Sequence, residues 1–284
     1  MSRFPEGRTL ASATGPAVIH ETKGRGGVPA FLLHGGGLDR AALSWRHFLP
    51  ELAQSHDVIA TNWPGYGGSA GFGRAYTIPD LGRWLVDLMD RLDVARADLV
   101  GVSMGGGAAL WMAVHHPERV RRLVPVSAYG LAARAQWHLT SWAAVNLLLT
   151  KVTFAMLARY PGLLKPSLRS IFADPARLTD EVVADVRAAL DSLTDQSAFV
   201  GFQRGELTPR RLRTVFGPDA LATIGAPTLL VHGQADGLVP VQAARMARGH
   251  IPGARLEVLD TGHWPMREAP ETFNPLVAEF LRAG

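Results

Sequence analysis

Short apolar runs alternate along the chain with stretches in which apolar residues recur every three or four positions. The runs that we predict to be buried strands are residues 17–20, 30–34, 57–61, 98–102, 123–127, 228–232 and 255–259. The stretch from Ile78 to Leu92 has the spacing of an amphipathic helix, and Thr77 with Asp80 predicts a capping box at its start. Strands that alternate with helices indicate an α/β fold with a mostly parallel sheet.

This alternation stops between residues 131 and 214, where the pattern is helical and no strand is evident. A helical stretch in the middle of a strand–helix alternation indicates an insertion. We therefore predict a core domain built from residues 1–130 and 215–284, with residues 131–214 forming a helical cap, or lid, over the sheet.

Composition narrows the class of protein. Of the 284 residues, 47% are hydrophobic and 19% are charged, which predicts a folded chain and excludes intrinsic disorder. The absence of cysteine excludes a disulfide scaffold, thiolate metal sites and a cysteine nucleophile. We expect a cytoplasmic protein with no membrane span, because the chain shows neither a signal-peptide core nor an uncharged stretch of spanning length. The net charge of +4 comes from scattered basic residues, so we expect no nucleic acid partner.

Residues 101–105 read GVSMG, a G-x-S-x-G motif between a predicted strand and a glycine-rich helix. A strand that turns abruptly into a helix holds the central serine in a strained conformation at the sheet edge. Small neighbours are required there because backbone segments approach closely. Ser103 is therefore our candidate nucleophile. The alternative is a serine that caps a helix whose glycines only serve packing.

A serine hydroxyl becomes an effective nucleophile when a base takes its proton. Among the ten histidines, His263 directly follows the last predicted strand, at the sheet edge where catalytic groups gather. His34 also ends a strand, but the three glycines after it indicate a loop that supplies backbone groups. His232 lies inside an apolar run and is interpreted as a core histidine. We therefore predict His263 as the base.

The base in turn needs a carboxylate that orients it. Asp236 follows the penultimate predicted strand, which gives the chain order Ser103, Asp236, His263. The alternative role for Asp236 is a turn aspartate that binds its own backbone. Asp260 is a rival, but it lies three residues from His263 and is expected to shape that turn. Asp236 is our candidate acid.

A negatively charged tetrahedral intermediate needs preorganised hydrogen-bond donors. We predict one donor as the backbone N–H of Met104, next to the nucleophile. The other should come from residues 34–37, which read HGGG, with Gly36 as first choice and Gly37 as second. An ordinary flexible turn is the other interpretation of this triplet. No glycine-rich stretch has the spacing of a phosphate loop and no side-chain cluster has metal-ligand spacing, so we expect neither a cofactor nor a metal.

These motifs resemble the α/β-hydrolase superfamily over essentially the whole chain. The resemblance depends on four ordered motifs, at residues 34–37, 101–105, 233–236 and 262–264. It implies a mostly parallel eight-stranded sheet flanked by helices, with a helical cap inserted after the sixth strand. A serine at position 103 differs from haloalkane dehalogenases and epoxide hydrolases, which carry aspartate there.

Within the superfamily, the chain resembles the hydrolases that cleave carbon–carbon bonds in meta-cleavage products. Residues 103–106 (SMGG), Trp264 after the histidine, the segment 167–181 and the tail 271–281 are similar to that group. The resemblance implies a vinylogous diketone, a dienoate, as the substrate and the same three catalytic residues.

Other positions depart from that group. Val102 stands where the group usually has asparagine, and Leu38 with Asp39 stands where it has Pro-Gly. The cap arginine that binds the substrate carboxylate in that group would fall at Val186, and a shift of one residue would place Arg187 there. These departures remove the anchors that a dienoate needs.

We therefore predict a serine hydrolase that cleaves a carboxylic ester of a small apolar or aromatic substrate through an acyl-enzyme. The alternatives are a C–C hydrolase acting on a ketone and a ligand receptor built on the same scaffold. A peptidase that captures an amino terminus is disfavoured, because Glu181, Asp185 and Glu206 are interpreted as solvated helix faces. The sequence also allows a homo-oligomer. The predicted pocket residues are Leu38, Val102, Trp142, Val145, Val239 and Trp264.

Overall fold

One eight-stranded sheet forms the centre of the molecule in the computed structural model, which describes residues 4–24, 27–135, 138–192 and 198–283. The strands are β1 (Gly7–Ser12), β2 (Gly15–Thr22), β3 (Val28–Leu33), β4 (His56–Thr61), β5 (Ala97–Val102), β6 (Val120–Val126), β7 (Leu229–Gly233) and β8 (Arg255–Leu259). Their order across the sheet is β1-β2-β4-β3-β5-β6-β7-β8. β2 is antiparallel to β1 and β4, and the other neighbours are parallel. The predicted α/β fold with a mostly parallel sheet is confirmed.

Each of the seven predicted runs overlaps a strand, but β1 has no counterpart among them. β1 lies at the edge of the sheet, and its residues are exposed or only half-buried. A strand without a buried face carries no apolar periodicity, which explains why the hydrophobic pattern does not reveal it.

Helices connect the strands and form the segment between β6 and β7. They are α1 (Ala41–Ser44), α2 (Phe48–Leu52), α3 (Ile78–Arg91), α4 (Met104–His115), α5 (His138–Asn146), α6 (Leu149–Arg159), α7 (Leu164–Leu168), α8 (Asp180–Asp191), α9 (Ala198–Glu206), α10 (Pro218–Ala222), α11 (Val241–His250), α12 (Pro265–Glu268) and α13 (Pro270–Arg282). The predicted start of α3 is confirmed, since the backbone N–H of Thr77 donates to Asp80 Oδ2 at 2.8 Å.

Side chains from β3 show how the sheet divides the core. Phe31 and Leu33 pack in one buried cluster with α3 and α4, whereas Ala30 and Leu32 pack in a second cluster with α1, α2 and α13. Alternate residues of a strand point to opposite faces, so a continuous apolar run is buried on both sides. The helices on both faces hold the strand ends, and the loops that follow them, in fixed positions.

The described residues between β6 and β7 form helices, turns and one isolated bridge between Leu207 and Leu212. Their helical character agrees with the predicted insertion, and the domain boundaries at 131 and 214 stay a prediction. Among the described residues, no single helix is long and apolar enough to span a membrane. α5 and α6 together meet that test by length and composition, with a bend of 81° between them.

Helix α8 is attached to the core by ion pairs. Asp185 accepts hydrogen bonds from Arg267 at 2.9 Å and from Arg46 at 2.5 Å, and it is only 8% exposed. Glu181 lies 3.4 Å from Arg46. The interpretation of Asp185 as part of a solvated helix face is therefore wrong, because two arginines from the core meet it.

Candidate active site

Ser103 occupies the sharp turn between β5 and α4. Its backbone has φ 53° and ψ −115°, a conformation that strains a residue with a side chain. Three backbone hydrogen bonds of 2.9 Å hold it there: its N–H donates to Val126, and its carbonyl accepts from Gly107 and Tyr129. The turn thus presents the serine side chain at the carboxyl edge of the sheet.

Close backbone contacts explain the two glycines of the G-x-S-x-G motif. A Cβ atom at Gly101 would lie 2.3 Å from the carbonyl oxygen of Gly105. One at Gly105 would lie 2.2 Å from the carbonyl oxygen of Leu33. Both distances are far below van der Waals contact, so the turn accepts only glycine at these positions.

His263 and Asp236 meet at the same edge, in the loops after β8 and β7. Nδ1 of His263 lies 2.8 Å from Oδ2 of Asp236. The other carboxylate oxygen, Oδ1, accepts the backbone N–H groups of Leu238 at 2.8 Å and Val239 at 3.0 Å. Asp260 is exposed. The geometry therefore favours Asp236 over Asp260 as the partner of His263.

The environment of Asp236 keeps it ionised. Burial alone would raise its pKa, but the charge of His263 and hydrogen bonds from His232, His263 and the Val239 backbone hold the pKa of this carboxyl well below its usual range. An ionised carboxylate only accepts hydrogen bonds, so Nδ1 of His263 carries the proton between them. With that proton on Nδ1, Nε2 is the ring nitrogen that can accept a proton from the serine, the arrangement required of a base.

The loop after β3 orients its peptide groups by hydrogen bonds. The N–H of Gly35 donates to Oδ2 of Asp39 at 2.7 Å. His34 accepts the N–H of Trp63 on Nε2 at 3.1 Å, so its Nδ1 donates to the Gly35 carbonyl at 2.7 Å. Burial lowers the pKa of His34 to about 3, which keeps the ring neutral. In a trans peptide the C=O and N–H point in opposite directions, so the Gly36 N–H points away from His34.

Gly36 and Met104 line the same cavity as Ser103 and His263. A Cβ atom at Gly36 would lie 2.9 Å from Cε2 of Phe199, so this glycine lies tightly beneath helix α9. Gly37 also lines the cavity and has φ +76°. The Gly35 N–H is already bound and is therefore excluded as the donor opposite Met104, so Gly36 stays our first choice and Gly37 our second.

The cavity has a volume of about 410 Å³ and lies between the sheet edge and helices α5, α6, α7 and α9. Its lining is mainly apolar, with the described members of that kind being Leu38, Met104, Ala135, Phe154, Leu157, Leu168, Ile171, Phe199, Phe202, Leu207, Leu238, Val239 and Trp264. Three predicted pocket residues, Leu38, Val239 and Trp264, are among them.

The other three predicted pocket residues do not line this cavity. Val102 is fully buried at the end of β5, where it packs with Val126 of the neighbouring strand. Val145 is also buried but away from the cavity, and Trp142 is half-buried outside it. Ser141 is the α5 residue that lines the cavity, whereas Trp142 and Val145 of the same helix do not. Trp137 lies outside the described residues.

Comparison with known proteins gives the family. The sequence pattern described as "alpha/beta hydrolase fold" matches residues 29–270. The chain belongs to the α/β-hydrolase fold family. This membership, together with the fold, confirms the resemblance and the prediction of a hydrolase enzyme.

Several known proteins are similar to this α/β-hydrolase over nearly the whole chain. A 2-hydroxymuconate semialdehyde hydrolase from Pseudomonas sp. strain CF600 is 32% identical over 97% of this chain and 93% of its own. The structure of a meta-cleavage product hydrolase from Pseudomonas fluorescens IP01 superposes with a TM-score of 0.80 at 25% identity, covering 97% of each chain. A carboxylesterase from Bacillus subtilis shares the fold, with a TM-score of 0.80 at 23% identity over 100% of this chain and 93% of that one.

The α/β-hydrolase cavity contains no lysine or arginine among the described residues that line it. Val186 is buried in the core cluster, and Arg187 forms a 3.0 Å ion pair with Asp191 on the outer side of α8. Neither position brings a cation to the cavity. The shift that would place Arg187 at the cap-arginine position is therefore wrong, because a helix turns successive residues about 100° apart.

Sequence reasoning missed two buried carboxylates beside the site. Glu206 is fully buried and lines the cavity, so its interpretation as part of a solvated helix face is wrong. Asp39 is buried beneath the loop of Gly35 and accepts hydrogen bonds from Ser44 at 2.7 and 2.9 Å. Burial raises the pKa of Asp39 to about 6, against the lowering effect of these hydrogen bonds. An acid two positions after a run of glycines was the available signal for Asp39, and Glu206 gave none.

Proposed function

We propose that this α/β-hydrolase cleaves a carboxylic ester of a small apolar or aromatic substrate through an acyl-enzyme. Ser103 Oγ attacks the ester carbonyl while Nε2 of His263 takes its proton, and Asp236 holds the resulting imidazolium. The backbone N–H groups of Gly36 and Met104 stabilise the oxyanion. His263 then protonates the departing alcohol. A water molecule, activated by the same ring, hydrolyses the acyl-enzyme and releases the acid and free Ser103.

The charge of the cavity lining is the observation that favours an ester over a dienoate as the substrate. The described lining is mainly apolar, contains no lysine or arginine, and has one buried carboxylate, that of Glu206. A dienoate brings its own carboxylate, and an ionised group buried without a cation is strongly disfavoured. A neutral ester meets no such penalty, so the cavity fits it better.

C–C hydrolysis is the second candidate, and one observation favours it: the similarity to relatives named as hydrolases of meta-cleavage products. The same three residues would perform that reaction. Trp264, part of the motif that resembles that group, lines the cavity. Against it stands the absence of the predicted cap arginine from the described lining. A receptor that binds without turnover is the remaining alternative.

The test is a comparison of kcat/KM for a short-chain aryl ester and for an aryl dienoate ring-fission product, with Ser103→Ala as the control. We expect fast ester turnover, negligible dienoate cleavage and loss of the ester activity in the variant. Preferred cleavage of the dienoate would replace our proposal by the C–C hydrolase. No turnover of either substrate, together with no labelling of folded protein by a fluorophosphonate, would leave the ligand receptor as the remaining interpretation.

A further inference from the structure

Besides its serines and His263, the mainly apolar cavity is lined by three polar side chains: Tyr129 from the loop after β6, with Gln203 and Glu206 from α9. We call this group the acceptor corner. Tyr129 ties it to the site, because its backbone N–H donates to the carbonyl of Ser103 at 2.9 Å. A substrate in the cavity therefore meets both the reacting serine and the acceptor corner.

Glu206 is a buried carboxylate surrounded by neutral donors. Its Oε1 accepts the backbone N–H of Ile78 and the hydroxyl of Thr214, both at 2.7 Å. Its Oε2 accepts the backbone N–H of Thr214 at 2.8 Å and, over a long 3.4 Å, the hydroxyl of Tyr129. Among the described residues, Glu206 forms no ion pair with lysine, arginine or histidine. Four donors around two oxygens match an ionised carboxylate that has no ion-pair partner within the described part of the chain.

Gln203 and Tyr129 add acceptor capacity that the described protein groups do not use. The side-chain oxygen of Gln203 is buried and has no hydrogen-bond partner. A buried acceptor without a partner is disfavoured, and a ligand that donates to it relieves that cost. Burial and the neighbouring Glu206 raise the pKa of the Tyr129 phenol, so it stays neutral and keeps its oxygen lone pairs.

We propose that the acceptor corner binds a hydrogen-bond donor on the substrate, a hydroxyl or a protonated amine, and discriminates against a carboxylate. This inference rests on the proposed function for the reaction, but it names a further feature of the substrate. A donor group completes the unused acceptor of Gln203, and a protonated amine also balances the charge of Glu206. A carboxylate offers only hydrogen-bond acceptors and carries the same charge as Glu206, so both features oppose its binding.

Direct binding to the resting enzyme tests the proposal without requiring turnover. The probes share one skeleton: 3-phenylpropan-1-amine, 3-phenylpropan-1-ol and 3-phenylpropanoate, titrated calorimetrically into the wild-type protein at pH 7.5. We expect the amine and the alcohol to bind at least about tenfold more tightly than the carboxylate, the order of effect of one hydrogen bond to a buried group.

Two variants locate the effect. Gln203→Leu and Tyr129→Phe each remove a polar group of the acceptor corner while keeping side-chain bulk, and both should reduce the preference. Ser167→Ala, which removes another hydroxyl from the cavity lining, is the matched control and should leave the preference unchanged. We avoid Glu206→Gln as the main test because Glu206 holds backbone groups of α3 and Thr214.

Carboxylate binding as tight as that of the alcohol, or a preference that survives both corner variants with thermal stability unchanged, would overturn the proposal. If either variant fails to fold, the wild-type series and the remaining variant still decide. Failure of the proposed function is a separate result. A preference for donor groups in a protein that hydrolyses no ester would support the acceptor-corner proposal and contradict the esterase proposal.

Discussion

The sheet edge and the helical wall opposite it contribute to the cavity in different ways. Ser103, Asp236 and His263 each follow the end of a parallel strand, so the sheet itself brings them together. The opposite wall comes from α5, α6, α7 and α9, and it supplies Phe199 and Glu206. The difference indicates a division of labour. We expect changes at the edge to affect every substrate alike and changes in the wall to alter the preference among substrates.

The largest expected effect is at Ser103. Ser103→Ala should lower kcat for every ester by about four to six orders of magnitude, because the covalent step is lost, while substrate binding stays nearly unchanged. Steady-state kinetics on acetate and benzoate aryl esters measure this. Ser141→Ala, another serine of the cavity lining, serves as the control and should keep most of the activity. A Ser103→Ala enzyme that loses activity toward only one of the two esters would contradict the expectation that changes at the sheet edge affect every substrate alike.

Next in size is Asp236. Asp236→Asn should lower kcat by about two to four orders of magnitude for both esters, since the ring of His263 loses the charge that orients it. Asp260→Asn removes the exposed rival acid and is expected to leave kcat unchanged. The reverse result for the two variants would move the catalytic acid to Asp260.

Two buried aspartates at the sheet edge should respond to pH in opposite directions. The folded-state pKa of Asp39 is raised to about 6, so ionising it opposes folding. Stability of the wild type relative to Asp39→Asn should therefore fall as pH rises from 4 to 7, by about 3 kcal/mol. The pKa of Asp236 is lowered, so ionising it favours folding. The stability advantage of the wild type over Asp236→Asn should therefore be complete above pH 4 and should shrink as the pH falls below 4.

Denaturant unfolding of the wild type and both variants, at half-unit pH steps, measures these two differences. Asp236 is in direct contact with His263, whereas the hydrogen bonds to Asp39 come from neutral donors and do not offset its burial, and this contrast is the cause of the opposite signs. A wild-type advantage over Asp39→Asn that grows from pH 4 to pH 7 would contradict the assigned environment of Asp39.

The smallest expected effect lies in the wall. Phe199 stacks between Phe154 and Phe202, at 6.1 and 6.4 Å between ring centroids, and lies over Gly36. Phe199→Ala should enlarge the cavity and raise the ratio of kcat/KM for a benzoate over an acetate ester about tenfold.

Leu190→Ala is the control for that variant, because Leu190 is buried in α8 and does not line the cavity. It should lower stability without changing the benzoate-to-acetate ratio. An equal change of the ratio in both variants would mean that general loosening of the helices, not the wall at Phe199, sets the preference.

Short-range patterns predict the sheet edge well, for a physical reason. The strand runs, the G-x-S-x-G turn and the loops before Asp236 and His263 are each local, and a parallel sheet gathers its carboxyl ends at one edge. The wall depends on contacts between distant residues. Glu206, for example, binds the N–H of Ile78, 128 positions away, and no local pattern reveals that contact. Val102 was misplaced because a residue type does not tell which neighbours its face of the strand meets.

Labelling of the folded protein with a fluorophosphonate, followed by mass spectrometry of the intact chain and its peptides, tests the central claim most directly. The serine oxygen displaces fluoride from phosphorus, so each labelled chain gains one phosphonyl group. We predict one adduct per chain, on Ser103, with strong slowing of labelling in Asp236→Asn and its abolition on unfolding. An adduct on another residue, or none at all on the folded enzyme, would contradict the assignment of Ser103 as the nucleophile.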